Sequence, residues 1–230
     1  MSNEKGLTMK KAVVILSGGM DSTLTAKIAQ TRGYEVIAIH FNYGQRTQTR
    51  ELQAFEEVSD ALGIQERYVL ELPFFEQIGA SALIDTSLDV PTGGLEEGVP
   101  VTYVPFRNGI FLSIASAIAE KHQAEALFIG VVEEDSSGYP DCRFEYIQQM
   151  QKAINLGTKE ETQLTIEMPL VKLSKAEIVK EALKRKAPLE KTWSCYQAEQ
   201  RACGLCDSCR LRLRGFEEAG VVDPIAYEKH

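Results

Sequence analysis

The aliphatic run Ala12 to Leu16 stops at Ser17-Gly18-Gly19, and helical spacing begins at Asp21, so the chain must turn sharply from a buried strand into a helix. A strand that is apolar at every position is covered on both faces, which calls for a parallel sheet between two helical layers. The rest of the sequence repeats the alternation. Lys11 to Ser17 reads as a strand, Asp21 to Thr31 as a helix ended by Gly33, and Glu35 to Phe41 as the second strand of a βαβ unit. Helical spacing over Thr47 to Leu62 ends at Gly63 and is followed by a short strand, Arg67 to Leu70. Ile110 to Lys121 suits a buried helix, Ala126 to Val132 a strand, and Phe144 to Ile154 and Lys175 to Lys186 further helices flanking a strand at Thr165 to Met168.

The 230 residues fit one α/β domain over 9–190, with a small helical segment over 191–230 packed on it. No apolar run approaches the roughly 20 residues that span a bilayer, and Met1 to Thr8 lack the pattern of a signal peptide, so the expected location is the cytoplasm. A formal charge of −8 argues for small substrates and against nucleic acid, whose binding rests on clustered Lys and Arg. The stretch from Ile84 to Pro105, rich in Gly and Pro, is long for a connection and reads as an active-site lid or a surface excursion.

The strand-to-helix turn has the makings of an anion site. Glycines allow close backbone approach, and helix-start N–H groups with the positive end of the dipole face the anion. Ser17 and Ser22 can add hydroxyls, while Asp21 can hold Mg²⁺ or cap the helix. Neither G-x-x-x-x-G-K-[ST] nor G-x-G-x-x-G occurs, which removes a Walker ATPase and a dinucleotide enzyme.

Four of the five cysteines, Cys195, Cys203, Cys206 and Cys209, offer thiolates to one tetrahedral metal site; without an export signal, metal is favoured over disulfides. Zinc fits the spacing better than an iron–sulfur cluster, because the x3-Cys-Pro of a ferredoxin run is missing. Arg201, Arg210, Arg212 and Arg214, with Asp207, Glu217 and Glu218, read as a solvated mixed face, and Cys142 as a packed side chain.

The string Ser17 to Ser22 resembles the PP-loop of the ATP pyrophosphatase superfamily, of adenine nucleotide alpha hydrolase-like fold, whose members adenylate a carbonyl or carboxyl oxygen and release pyrophosphate. From about Lys11 to Phe216 the chain is similar to the QueC family of 7-cyano-7-deazaguanine synthases. The motifs are that loop, Tyr43-Gly44-Gln45-Arg46, Val104-Pro105-Phe106-Arg107-Asn108, the run from Asp135 to Arg143, and Trp193-Ser194-Cys195 through Cys209. Phe106 stands at a position of the Pro-x-Arg-Asn motif that carries no information.

The resemblance implies conversion of 7-carboxy-7-deazaguanine and ammonia to the nitrile preQ0, with two ATP, through adenylated carboxylate and amide. It implies zinc on the cysteines, a homodimer, and ATP along Leu16, Ser17, Gly18, Gly19, Met20, Asp21, Ser22, Thr23, Leu24, Thr25 and Ala26. Ser17, Asp21 and Ser22 are then the expected catalytic residues, with Mg²⁺ beside them. Arg46, Arg107 and Lys172 become candidates for phosphate or carboxylate, or remain surface charge. Asn108, Asp135, Tyr139 and Asp141 become candidates for the substrate, the last three for the base edge or for loop hydrogen bonds. His40, His122 and His230 form no constellation for nucleophilic catalysis. Two other readings share these features: a PP-loop tRNA-thiolating enzyme, and a protein that binds nucleotide and zinc without catalysis.

Overall fold

A computed structural model describes residues 9–93, 98–133 and 138–229. Five parallel strands form one sheet in the order β3-β2-β1-β4-β5: β1 (Lys11–Ile15), β2 (Glu35–Asn42), β3 (Glu66–Glu71), β4 (Ala126–Phe128) and β5 (Thr165–Glu167). Parallel neighbours need crossovers. These carry α1 (Met20–Thr31), α2 (Gln48–Ala61), α3 (Phe74–Ile78), α4 (Arg107–His122) and α5 (Phe144–Gly157). After β5 follow α6 (Lys175–Lys184) and α7 (Asp207–Glu218).

Alternation along β1 explains the two layers. Val13 and Ile15 join Ile37, Ile39 and Leu127 in a core closed by Leu112 and Ala115 of α4 and Ile147 of α5. Ala12 and Val14 point the other way, into a core with Leu24 and Ile28 of α1, Phe55 and Val58 of α2, Ile178 of α6 and Phe216 of α7. Each such aliphatic side chain contributes about 1.5–3 kcal/mol by leaving water, so both faces of the sheet are committed.

The order of the strands places a switch point between β1 and β4, because the chain leaves β1 toward β2 on one side and returns to β4 on the other. Here the expected strands prove too long. Pairing in β1 ends at Ile15 and in β4 at Phe128, where Ile166 and Glu167 of β5 also end the neighbouring ladder. Beyond it, Gly130 comes so near the start of α1 that a Cβ would lie 3.0 Å from both Ser22 N and Thr25 Oγ1. Leu16 and Ile129 still donate to Ile39 O and Glu167 O, and the aliphatic run beyond them lines a cavity.

The described part of the long loop after α3 is tied to the body. Arg46 donates from Nε to Ala82 O (2.6 Å) and from its guanidinium to Asp85 O (3.0 Å) and Leu88 O. Gln197 Nε2 reaches Val90 O at 3.1 Å. The C-terminal segment is anchored from within. Arg212, expected on a solvated face, has its side chain 2% exposed and forms a two-pronged pair with Asp223 at 2.7 and 2.9 Å. It also donates to Thr192 Oγ1 at 2.7 Å, while Tyr227 Oη donates to Asp223 at 2.6 Å. A helical Arg every second position gives no hint of this, since burial is decided by the partner that the later chain supplies.

Removing the guanidinium would strand a buried carboxylate. Arg212→Ala is expected to cost about 3–5 kcal/mol in urea unfolding, and Arg212→Ala with Asp223→Ala less than the sum of the two single changes. A single-variant loss under about 1 kcal/mol, the level of a surface pair, would contradict the anchoring role.

Candidate active site

The loop after β1 is held by its own polar atoms. Gly18 adopts φ +86°, and a Cβ there would sit 2.7 Å from Phe55 N and 2.9 Å from Ala54 Cβ, so only glycine fits. Ser17 N–H donates to Ser22 Oγ (3.2 Å), Ser22 Oγ to Gly19 O (3.1 Å), and Gly19 N–H to Ser17 Oγ (3.3 Å). The two hydroxyls lie 3.0 Å apart. The first intrahelical bond of α1 is Thr23 N–H to Gly19 O, at 3.0 Å. The N–H groups of Met20, Asp21 and Ser22 therefore precede the helix ladder at its positive end, as an anion cradle requires.

A cavity of about 290 Å³ opens over this loop at the switch point. Leu16, Ser17, Gly19, Met20, Asp21 and Ser22 line it; Thr23, Leu24, Thr25 and Ala26 are buried in α1 behind the loop. Asp21 does not cap the helix, whose N-cap is Gly19. Its Oδ2 accepts from Lys175 Nζ at 2.5 Å, and its buried Oδ1 has no hydrogen-bond partner among the described residues.

Lys175 is the cation that the structure brings to the loop. It is the first residue of α6, behind a Ser174–Glu177 capping box, and Gly215 of α7 packs on its backbone so closely that a Cβ would meet Lys175 Cβ at 2.8 Å. A lysine at the positive end of a helix is electrostatically misplaced. That misplacement, marked in sequence by Ser174-x-x-Glu177, is the signal that could have singled it out. Lys172 is exposed, with its ammonium 5.7 Å from the centre of the Phe144 ring, and does not line the cavity. Neither does Arg46, which is occupied by the loop carbonyls.

The opposite wall comes from the start of α4 and the chain beyond β2. Arg107 donates to Tyr43 Oη at 2.8 Å and lies over the Tyr43 and Phe111 rings. Burial drives the Tyr43 phenol up to about 12 against the opposing charge of Arg107, so it stays protonated. Asp141 is not among the lining residues. Its Oδ2 accepts the Asn108 N–H at 2.8 Å, which fixes the first turn of α4, and burial raises its pKa. Asn108 Nδ2 reaches Cys142 Sγ at 3.3 Å, and burial pushes that thiol up to about 12. Tyr139 lines the cavity and donates to Thr102 Oγ1 at 2.9 Å. Asp135 lies outside the described residues. Glu51 of α2, Ser194 and Tyr196 also line the cavity, and sequence reasoning passed them over. Glu51 stands in a helix that also carries Glu56 and Glu57, with nothing in its spacing to set it apart.

The sulfurs of Cys195, Cys203, Cys206 and Cys209 lie within 4.8 Å of one another, all in buried residues. Tetrahedral bonds of about 2.3 Å to a single ion would hold sulfurs ~3.8 Å apart, and Cys203 and Cys209 are already at 3.9 Å. A cubane of four irons would spread its ligands further. Cys195 Sγ receives N–H groups from Gln197 (3.4 Å), Ala198 (3.3 Å) and Cys203 (3.3 Å), and Cys203 Sγ from Leu205 (3.4 Å) and Cys206 (3.3 Å). Cys206 caps α7.

This centre adjoins the phosphate loop. Trp193 N–H donates to Gly18 O at 2.9 Å, Thr47 Oγ1 to Cys195 O at 3.2 Å, and Arg50 stacks over the Trp193 ring. Ser208 and Leu211 of α7 line the same cavity. Cys206→Ser is expected to lower bound metal well below one equivalent by elemental analysis and to lower the melting temperature; full occupancy and an unchanged melt would contradict a four-thiolate centre. At pH 8, Cys142 of the native protein is expected to resist iodoacetamide, read by peptide mass, because its thiol does not ionise there.

Comparison with known proteins agrees with this geometry. The family model described as "Queuosine biosynthesis protein QueC" matches residues 11–220. Among curated proteins, the 7-cyano-7-deazaguanine synthase of Sulfurovum sp. (strain NBC37-1) is 73% identical, over 96% of this chain and 99% of its own. That of Aliarcobacter butzleri (strain RM4018) is 65% identical, over 97% and 98%. A solved 4-thiouridine synthetase in complex with RNA and ATP shares the fold at TM-score 0.51 and 19% identity, over 92% of this chain and 50% of that one. With a family match running from β1 past the end of α7, and relatives this similar over nearly their full length, the chain belongs to the QueC family of queuosine biosynthesis proteins.

Proposed function

We propose that this chain catalyses the ATP-dependent conversion of 7-carboxy-7-deazaguanine and ammonia to 7-cyano-7-deazaguanine, a queuosine precursor. The observation that carries the reading is one cavity with an anion cradle at Ser17 to Ser22 on one side and the Arg107 guanidinium on the other. A triphosphate and a carboxylate can meet there. The carboxylate oxygen attacks the α-phosphorus of ATP and pyrophosphate leaves. Ammonia then attacks the acyl carbon, the bond to AMP breaks, and an amide remains. The amide oxygen is adenylated by a second ATP, and loss of AMP with two N–H protons leaves the nitrile.

The chain's part is to hold charge. Backbone N–H groups at the start of α1, with Ser17 and Ser22, receive the departing pyrophosphate, and Lys175 keeps Asp21 aligned beside it. Asp21, whose Oδ1 has no hydrogen-bond partner among the described residues, would hold Mg²⁺, which would neutralise phosphate charge there. Arg107 faces the substrate carboxylate, with Asn108 and Tyr139 around it; Asp141 acts by fixing Asn108, and Asp135 completes the substrate set. Arg46 and Lys172, the other two residues of that set, have less support: Arg46 is engaged with loop carbonyls and Lys172 is outside the cavity.

Zinc on the four cysteines is structural, since four protein ligands leave no open position. The 9–190 domain and the 191–230 segment work as one unit, in a cytoplasmic homodimer that acts on small molecules and not on nucleic acid, in keeping with the net charge of −8. The thiolating enzyme shares only the fold and adds no support to an RNA substrate.

Incubation with 7-carboxy-7-deazaguanine, ammonium, Mg²⁺ and ATP is expected to give nitrile and AMP in a ratio of one to two by mass spectrometry. ATP binding without AMP release would sink the reading. Asp21→Ala and Lys175→Met are each expected to lower kcat by about 10²–10³-fold; full activity in either would remove its assigned role.

A further inference from the structure

Glu51 has no part in the chemistry above, yet its carboxylate is built into the cavity. It lies in the first turn of α2 and lines the cavity together with Tyr43, Arg107, Tyr139 and Tyr196. Oε1 accepts from Thr47 Oγ1 at 2.8 Å and Oε2 from Gln45 Nε2 at 3.2 Å. Gln45 is itself fixed, because its Oε1 takes the Tyr43 N–H at 2.8 Å and its Nε2 reaches Phe41 O at 3.3 Å. Each carboxylate oxygen thus has one neutral donor setting its direction and retains acceptor capacity for a second. Burial raises the Glu51 pKa, and the bonds from Thr47 and Gln45 and the charge of Arg107 offset that rise only in part. A carboxylate held so, half-enclosed and short of donors, is completed by a ligand that brings N–H groups.

The two purines of the proposed reaction differ in what they offer. A guanine-type edge presents a ring N–H beside an exocyclic amino group, two parallel donors that match the two oxygens of a carboxylate. An adenine edge presents a donor beside an acceptor, which suits an amide side chain. Among the described lining residues the carboxylates are Asp21 and Glu51, and Asp21 is paired with Lys175 at the phosphate loop. The aromatic rings of Tyr43, Phe111 and Tyr139, which line the same cavity, supply apolar surface for a flat ring.

We propose that Glu51 is the residue that reads the deazaguanine base, taking its ring N–H and 2-amino group as a bidentate pair, and so selects the 2-amino heterocycle. The assignment rests on the function proposed above and names its specificity determinant.

Equilibrium binding tests it without turnover. Calorimetric titration of wild type and Glu51→Gln with 7-carboxy-7-deazaguanine and its 2-desamino counterpart compares the four dissociation constants. Wild type is expected to prefer the 2-amino ligand by about 10–10²-fold, the value of a hydrogen bond to a charged group. Glu51→Gln is expected to lose most of that preference and to leave the KM for ATP within about twofold, since ATP makes no contact with Glu51 on this account. Equal affinity of wild type for the two ligands, or equal preference in both proteins, overturns the assignment, and so does a penalty that falls on ATP. The wild-type comparison stands even if Glu51→Gln does not fold, and Glu51→Asp, which keeps the charge but withdraws it by one methylene, is expected to weaken the 2-amino ligand selectively. Nitrile formation by wild type is scored separately: its absence sinks the proposed reaction, whereas nitrile without 2-amino preference sinks only the role of Glu51.

Discussion

The hydrogen bond from Trp193 N–H to Gly18 O, 2.9 Å long, joins the loop after β1 to the segment that carries the four cysteines. Gly18 can offer that carbonyl because it takes φ +86° against Ala54 and Phe55, with no room for a side chain. Trp193 can meet it because the residues after it are gathered on the cysteine centre and those before it on the buried Arg212, which bonds Thr192 and Asp223. A loop of small residues has little packing of its own to hold it. Here its conformation is set by a segment some 175 residues downstream, so that loop, thiolates and buried ion pair form one connected structure.

The charged groups of the site are set against one another. Beside the helix start, the cavity lining sets Lys175 and Arg107 against the carboxylates of Asp21 and Glu51. Lys175 sits where the α6 dipole opposes it, and the opposition is offset by the Asp21 carboxylate at 2.5 Å.

Much of this was legible in the sequence. Strand and helix positions followed from aliphatic runs broken by glycine, and the loop and cysteine centre from spacing, since both depend on residues near one another in the chain. What escaped depends on distant partners. Lys172 and Lys175 look alike in a one-dimensional reading, but the capping box starts α6 at Lys175, which turns one inward and leaves the other over Phe144. Arg46 had the chemistry of an anion ligand and was spent on loop carbonyls. Arg212 looked solvated because Asp223 and Thr192 reach it only in the fold. β4 looked longer than it is because a cavity wall and a strand share the same aliphatic composition.

Through Trp193 the cysteine centre is expected to hold the loop over residues 17–22 in its present shape. Hydrogen exchange, read by mass spectrometry on peptides spanning 17–22, measures it directly when the metal-loaded protein is compared with protein stripped by a chelator. Stripping is expected to speed exchange in the loop and at Trp193 while the amides of β1 and β2 stay protected. Unchanged protection of the loop after complete metal removal would contradict it.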